Sequence, residues 1–222
     1  MSVTQEIADR LEEAFAPSEL SVVDDSESHR GHGGYREGGE SHFNVKIRSA
    51  HFKGLNRVAR HRAVHGALGP DLIGRIHALA RAHDQITKDN WAPAPLKRLI
   101  RMEAAGYLLD KADRVVVSGD DIMLTPNAFS SIALVVHELM TNSAKYGALA
   151  DRNGMVEVGL SRRNDGSLDI SWQERDGPPV QEPTRRGFGT TIIERSVPFE
   201  LQGEARIDYP EDGVVAKFWI PA

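Results

Sequence analysis

The stretch His137-Glu-Leu-Met-Thr-Asn-Ser-Ala-Lys-Tyr-Gly-Ala-Leu149 decides how this 222-residue chain is interpreted. A helix that contains it is predicted to begin at Thr125-Pro126, because a hydroxyl caps a helix well and proline suits the first helical position. Glu138, Asn142 and Lys145 stand at positions i, i+4 and i+7 of that helix. They therefore share one face, which is offset from the apolar stripe of the helix.

These three side chains are of the types that phosphate chemistry uses. A carboxylate such as Glu138 can orient or deprotonate a nucleophile. The amide oxygen of Asn142 is a hard, neutral ligand of the kind that Mg²⁺ accepts, and Lys145 carries a mobile positive charge that suits a phosphate. A solvated helix face with a Glu–Lys pair would explain the same spacing.

A second segment, Arg186-Gly-Phe-Gly-Thr-Thr-Ile-Ile193, brings two glycines to a predicted helix start. Gly187 and Gly189 allow the backbone to approach a ligand, and N–H groups at a helix start can hold phosphate oxygens. An ordinary turn is the alternative, because most isolated Gly-x-Gly pairs are turns.

A third segment, Leu168 to Pro179, reads as a strand that ends at a polar turn. Strand alternation sends Leu168, Ile170 and Trp172 into the core and leaves Glu174 at the strand end, facing a pocket. A carboxylate there can accept a hydrogen bond from an exocyclic amine such as that of adenine. Asp176 has the same parity as Glu174, and spacing does not choose between them.

In this order the three segments resemble the nucleotide-binding domain of the GHKL ATPases, and most closely the HWE family of sensor histidine kinases, over about residues 74–222. His137, Trp172 and Glu174 match the three residues that name the family. The resemblance implies an α/β sandwich with a mixed, largely antiparallel sheet that binds ATP and Mg²⁺. The predicted site comprises His137, Glu138 and Lys145 as catalytic residues, Asn142 as the Mg²⁺ ligand, and Tyr146, Glu174, Asp176, Gly177, Gly187, Gly189 and Thr190 as nucleotide contacts.

The first 80 residues or so resemble a different family, the BolA-like proteins. The matching stretches are Gly39-Glu-Ser-His-Phe43, Arg60-His-Arg62 and Ile76-His-Ala-Leu79. The resemblance implies a small α+β fold related to KH domains. It also implies a monothiol glutaredoxin as partner and an iron–sulfur cluster held through histidines. His32 and His77 are the ligands implied, with His29 as a competitor; surface histidines in a glycine-rich loop are the alternative.

The segment Ile76–Leu79 belongs to both resemblances, although a BolA-like fold needs a strand there and a kinase needs a helix. Apolar residues from Leu72 to Ile86 recur at helical spacing, which favours the helix. The BolA-like module would then lose or displace its last strand, and His77 need not face a cluster. We expect an α+β protein with a BolA-like module at residues 1–75 and a kinase catalytic domain at residues 76–222.

Local patterns predict the remaining elements. A helix is predicted at 3–15, strands at 20–23 and 43–47, and a helix at 60–68 that stops at Gly69-Pro70. The second half is predicted to contain a helix within 96–108, strands at 115–117 and 122–124, a hairpin around 164–166, a helix at 188–197 and two strands around 210–213.

Composition limits the function classes. The net charge of −5 argues against a nucleic-acid partner, because phosphate contacts need a surplus of Lys and Arg. No apolar run approaches the roughly 20 residues that cross a bilayer, and the first residues lack the features of a secretory signal. With no cysteine, the chain suits a reducing cytoplasm, where we expect it to act.

The expected activity is Mg²⁺-dependent transfer of the ATP γ-phosphoryl group to a histidine in two-component signalling. The expected partner is a response regulator or another phosphoacceptor domain, and a homodimer is a candidate assembly. Two histidines are candidate acceptors: His61, where His61-Arg62 retains only part of the family's His-Arg-x-Lys-Asn pattern, and His83. The alternatives are a GHKL ATPase or serine-directed kinase, and a non-enzymatic BolA-like redox module with a nucleotide-sensing domain.

Overall fold

The computed structural model describes residues 2–25, 42–108, 113–182 and 188–221. The chain divides into two compact units, Met1–Trp91 and Ala92–Ala222. The predicted domain limits of 1–75 and 76–222 follow the two resemblances and stay a prediction.

The first unit is built from two helices and a two-stranded antiparallel sheet. Its elements are α1 (Val3–Phe15), β1 (Glu19–Asp24), β2 (Phe43–Arg48), a 3-10 turn (Ala50–Phe52) and α2 (Arg57–Lys88). The helix at 3–15 and both strands are confirmed. Ile7, Leu11 and Phe15 lie on the buried stripe of α1, and they pack with Phe52 and with Leu68 and Leu72 of α2.

Helix α2 is interrupted at Gly69 and then continues. Gly69 has φ 77° and ψ 156°, outside the helical region, and Pro70 begins the second half. The predicted stop is therefore a local break. Arg10 of α1 donates to the Leu68 carbonyl oxygen, so a hydrogen bond from another helix satisfies a backbone acceptor beside the break.

Four charged side chains fasten the second half of α2 to α1. Arg10 bonds to Asp71 at 2.7 Å and to Glu6 at 2.6 Å, and the buried Arg75 lies 3.2 Å from the buried Glu6. The Arg10 guanidinium lowers the pKa of Asp71 to about 2. These bonds require Asp71 and Arg75 to stand one helical turn apart. They therefore favour a helix leading into Ile76–Leu79, the segment that both resemblances share.

Residues 76–86 are thus helical, as the apolar spacing predicted. In the described part of the first unit, the sheet consists of β1 and β2. The third strand that a BolA-like fold would form from Ile76–Leu79 is replaced there by helix.

The second unit contains three helices and a five-stranded mixed sheet. Its elements are β3 (Ala94–Pro95), α3 (Leu96–Leu108), β4 (Val115–Gly119), β5 (Met123–Leu124), α4 (Pro126–Tyr146), a 3-10 turn (Ala148–Ala150), β6 (Met155–Arg162), β7 (Leu168–Arg175), α5 (Phe188–Arg195), a π turn (Ser196–Glu200), β8 (Glu204–Asp208) and β9 (Val215–Ile220). The strand order is β4-β6-β7-β9-β8; β4 and β6 run parallel and the other pairs antiparallel. The expected mixed, largely antiparallel sheet is confirmed.

The core of this unit lies between α3, α4 and the inner face of the sheet. Apolar side chains of both helices meet Trp172 and Ile170 of β7 and Phe218 of β9. The Thr125 hydroxyl accepts from the Ala128 N–H and caps α4, with Pro126 following as predicted. Over the described ranges, every helix is too short or too polar to cross a lipid bilayer.

Candidate functional site

The polar face of α4 passes from buried to exposed along the helix. The Glu138 side chain is 5% exposed, Asn142 is half-buried and Lys145 is exposed. A solvated Glu–Lys pair therefore does not account for Glu138. A buried carboxylate costs free energy unless polar neighbours compensate for lost hydration, so Glu138 must be held by groups within the fold.

The first turn of α5 lies directly against this face. A Cβ atom built on Gly189 would overlap Oε2 of Glu138, with Cδ of that residue 3.2 Å away, and would lie 3.8 Å from Nδ2 of Asn142. Two segments more than forty residues apart in sequence thus meet, and the close approach depends on the missing side chain of Gly189. Gly187 lies outside the described residues, as does the side chain of Thr190.

The end of β7 supplies a second buried carboxylate. Trp172 and Glu174 lie on the same strand face and are 1% and 4% exposed. The indole N–H of Trp172 donates to Oε1 of Glu174 at 3.4 Å, and the backbone N–H of Ala148 donates to Oε2 at 2.8 Å. The predicted alternation that puts Leu168, Ile170, Trp172 and Glu174 on one side of the strand is confirmed, and a pocket in front of Glu174 stays a prediction.

Glu174 anchors the turn that follows α4. The Ser143 hydroxyl also bonds to this carboxyl group and accepts from the N–H of Leu149 at 3.3 Å. A Cβ atom on Gly147 would lie 2.9 Å from Cδ of Glu174, so a side chain at position 147 would have to displace this carboxyl group. The turn after α4 and the end of β7 together form one wall of the candidate site.

Burial raises the pKa of Glu174, although the donors from Ala148, Ser143 and Trp172 oppose this shift. Desolvation disfavours the charged form of a carboxyl group, whereas donors favour it. Oε1 receives a long bond from Trp172, so it keeps the capacity to accept a shorter one from another donor.

Asp176, which spacing could not separate from Glu174, differs from it in environment. Asp176 is exposed and has φ 55°, a left-handed conformation at the strand end. A Cβ atom on the neighbouring Gly177 would lie 2.5 Å from Cα of Ala148. Gly177 therefore closes the strand end onto the same turn that Glu174 anchors.

His137 faces a different neighbour. Its Nδ1 atom lies 3.2 Å from Oε2 of Glu103 on α3, and both side chains are buried. This pair links α3 to α4. His137 directly precedes Glu138, so this link to α3 lies at the start of the polar face of α4.

The other predicted residues fall in three places. Lys145 and Tyr146 are exposed at the end of α4, with Tyr146 74% exposed. His77 is exposed on α2 in the first unit, and His32 lies outside the described residues. The iron–sulfur ligands therefore stay a prediction.

Sequence reasoning missed the residues that hold the turn. Arg114, just before β4, donates to the carbonyl oxygens of Asp151 at 2.5 Å, Gly154 at 3.2 Å and Leu149 at 3.4 Å. Gly147, directly after Lys145-Tyr146, offered a helix-end signal, but Arg114 offered none. Its partners lie some 35 residues later in the chain, and local patterns do not reveal such distances.

The donor set is compatible with a metal that also binds phosphate oxygens. Over the residues that the structure describes, no group of three His, Asp or Glu side chains forms a metal cage. Mg²⁺ is usually bound through one or two protein oxygens together with substrate phosphates and water. Asn142 beside Glu138 and Gly189 fits that kind of site, whereas Zn²⁺ would require more protein ligands.

Two family models match the chain. The model of the HWE histidine kinase matches residues 55–121, and that of the BolA-like protein matches residues 11–84. They overlap at residues 55–84, which include the segment that carries both resemblances. The matches name no glutaredoxin, and the expected glutaredoxin partner finds no support in them.

Relatives are named blue-light-activated histidine kinases. The protein from Brucella anthropi is 31% identical over 150 residues, which cover 66% of this chain and 30% of that protein. The protein from Brucella ovis is 28% identical over the same number of residues, which cover 66% of this chain and 31% of that protein. The chain thus spans about a third of the length of these curated relatives.

Solved structures show the same fold. The histidine kinase domain of a blue-light-activated histidine kinase from Erythrobacter litoralis matches with a TM-score of 0.57 at 21% identity, covering 75% of this chain and 88% of that domain. A longer structure of that kinase matches with a TM-score of 0.57 at 20% identity, covering 70% and 51%.

Proposed function

Because this chain belongs to the HWE histidine kinase family and carries a BolA-like segment in its first unit, we propose that it binds Mg·ATP and transfers the γ-phosphoryl group to a histidine. The proposed setting is two-component signalling in the cytoplasm, with a response regulator as the receiving partner.

The approach of Gly189 to Glu138 and Asn142 supports this proposal most directly. It brings the carboxylate and carboxamide of α4 to the glycine-bearing turn of α5. Phosphoryl transfer depends on positioning and charge neutralisation, so acidic, amide and glycine groups must meet in one place. An ordinary turn would not explain this meeting.

Each residue has a proposed role. Mg²⁺, when bound, supplies charge neutralisation at the phosphates. The carboxamide of Asn142 would hold it, and Glu138 would orient the acceptor imidazole and take up its proton. Lys145 would attract the phosphates from its exposed position. His137, through Glu103, would keep Glu138 correctly aimed.

The nucleotide base would lie by the wall that Glu174 anchors. Oε1 of Glu174, which receives the long bond from Trp172, would accept from the adenine amino group. Gly177 and Gly147 keep the neighbouring backbone close enough to shape that wall. Asp176 and Tyr146, both exposed, would contact the nucleotide from the solvent side, and Gly187 and Thr190 would lie near the phosphates.

The first experiment separates transfer from binding. The full chain is incubated with γ-labelled ATP and Mg²⁺, and the product is treated with acid and with alkali. Phosphohistidine is lost in acid and survives alkali, whereas phosphoserine behaves in the opposite way. An alkali-labile product would favour the serine-directed kinase, and label released only as inorganic phosphate would favour a simple ATPase.

The acceptor is tested separately with His61→Gln and His83→Gln. His61 is exposed on α2, and His83 packs against Trp91 with a ring separation of 5.5 Å. Loss of label in one variant would identify the acceptor. If both variants keep their label, another histidine of the chain carries the phosphate. If the wild-type chain labels only an added receiver or phosphotransfer domain, the acceptor lies on a partner.

A further inference from the structure

A cavity of about 460 Å³ opens on the first unit, and its lining includes none of the residues assigned to the nucleotide. Its walls come from α1, β2 and both halves of α2. Phe43, Val45 and Ile47 of β2 line it together with Ile73 of α2. A volume of this size lies within the range of small-molecule pockets.

The apolar wall is left incompletely covered. Phe43, Val45 and Ile47 point to one face of β2, yet each of them is only half-buried. Leaving apolar surface in contact with water is unfavourable, so a ligand with an apolar body would gain free energy by covering these side chains.

The open side of the cavity is lined by nitrogen donors. Arg60, His61, His65 and His77 are all exposed and all line the cavity, and none of the described lining residues is acidic. Arg60 donates through Nε to the Leu55 carbonyl oxygen at 2.9 Å, which holds its guanidinium at this edge. The opening therefore favours an anion over a cation.

Two of the imidazoles are stacked. The rings of His61 and His65 lie 4.1 Å apart with a tilt of 30°. Desolvation lowers the pKa of His65, as do its neighbours His61 and His77. All three imidazoles line the same cavity, and a carboxylate placed among them would accept hydrogen bonds from several directions.

We propose that this cavity binds a small amphipathic carboxylate, with its hydrocarbon chain against β2 and Ile73 and its carboxylate at Arg60, His61, His65 and His77. This site does not depend on the nucleotide site. His61 of this cluster is also a candidate phosphoacceptor, whereas His65 and His77 have no part in the proposed kinase function.

The test is a calorimetric titration of the full chain with decanoate below its micellar concentration. Decyltrimethylammonium serves as the probe of equal chain length and opposite charge. We expect saturable binding of one decanoate per chain and much weaker binding of the cation. Absence of saturable binding, or equal binding of both probes, would overturn the proposal.

Variants at the open side of the cavity, called rim variants, locate the site. The double variant Arg60→Gln/His65→Gln should weaken decanoate binding roughly tenfold or more, because the charge-assisted hydrogen bond from Arg60 and the hydrogen bond from His65 are lost. Arg62→Gln, on the same exposed stretch of α2 but outside the cavity lining, is the matched control and should bind as the wild type does. Equal affinity in the double variant and the wild type would refute the assignment.

A filling variant tests the apolar wall. Ile73→Trp should abolish decanoate binding while the circular dichroism spectrum stays unchanged. If this variant unfolds, the rim variants decide the matter alone, since their side chains are exposed and their loss leaves the core intact. Undiminished binding in a folded Ile73→Trp chain would also contradict the proposal.

Discussion

Gly189 and Glu138 approach each other so closely that a Cβ atom on Gly189 would overlap Oε2 of Glu138. The obstructing atom is the end of a flexible side chain. A small side chain at position 189 can therefore be accommodated by moving the carboxylate and not the backbone. This relationship makes Gly189 a sensitive probe of the proposed site.

We expect Gly189→Ala to displace the Glu138 carboxylate, and thus to reduce phosphoryl transfer at least tenfold while the fold is retained. Autophosphorylation with labelled ATP measures the effect. Gly106→Ala is the matched control, because a Cβ atom at Gly106 would meet nothing within 4 Å. This control should keep full transfer and raise stability by up to about 1 kcal/mol, since alanine is the better helix former. Equal transfer rates in the two variants would remove Gly189 from the site.

Glu174 should make the stability of the second unit depend on pH. Its pKa is raised by burial, so the folded state holds this proton more tightly than the unfolded chain does. The free energy of unfolding should therefore fall as pH rises from the ordinary carboxyl pKa of 4.5 through the raised value. Urea unfolding across this range measures the slope.

Glu174→Gln should flatten this part of the pH profile, because an amide does not titrate. The exposed Asp176→Asn is its control and should leave the slope in place. A wild-type protein whose stability rises with pH through this range, with no difference in Glu174→Gln, would contradict the assigned shift.

Asp71 should contribute in the opposite direction in the first unit. Its pKa is lowered from 3.8 to about 2 by Arg10, so its stabilising contribution is present above pH 3.8 and disappears as pH falls through about 2. Asp71→Asn should lose about 1 kcal/mol near neutral pH, a value discounted because the side chain is partly exposed. Asp9→Asn, on the exposed side of α1, should lose much less. Unfolding monitored at Trp91, which lies in this unit, reports the difference.

Arg114 should control the turn that lines the proposed base site. Arg114→Ala leaves three backbone carbonyls without this donor, and we expect a loss of about 1–3 kcal/mol together with weaker nucleotide binding. Hydrogen exchange at the Ala148 amide, which donates to Glu174, should accelerate. Arg152→Ala, at an exposed position in the same loop, is the control. Unchanged exchange in Arg114→Ala would show that the turn is held by other contacts.

Local chemistry made much of this fold predictable. The Thr125-Pro126 start of α4, the stripe of α1 and the alternation of β7 depend on residues near one another in the chain, and all three are confirmed. The helical spacing from Leu72 to Ile86 also correctly predicted a helix for Ile76–Leu79, the segment that both resemblances share.

Long-range pairs account for what the sequence did not reveal. The continuation of α2 past Gly69 is supported by Arg10 and Glu6, whose partners on α2 lie 61 and 69 residues away. The partner of His137 is Glu103 on another helix, and the partner of Glu174 is the backbone of Ala148. Spacing placed Glu138, Asn142 and Lys145 on one face, but burial separated the first of them from the last.

The most direct test of the nucleotide site is calorimetric titration of the full chain with Mg²⁺ and a non-hydrolysable ATP analogue. We predict saturable binding that Asn142→Ala abolishes, while Asn164→Ala, at the exposed hairpin turn, leaves it unchanged. Both variants should keep the wild-type circular dichroism spectrum. Equal affinity in Asn142→Ala and the wild type would contradict the account.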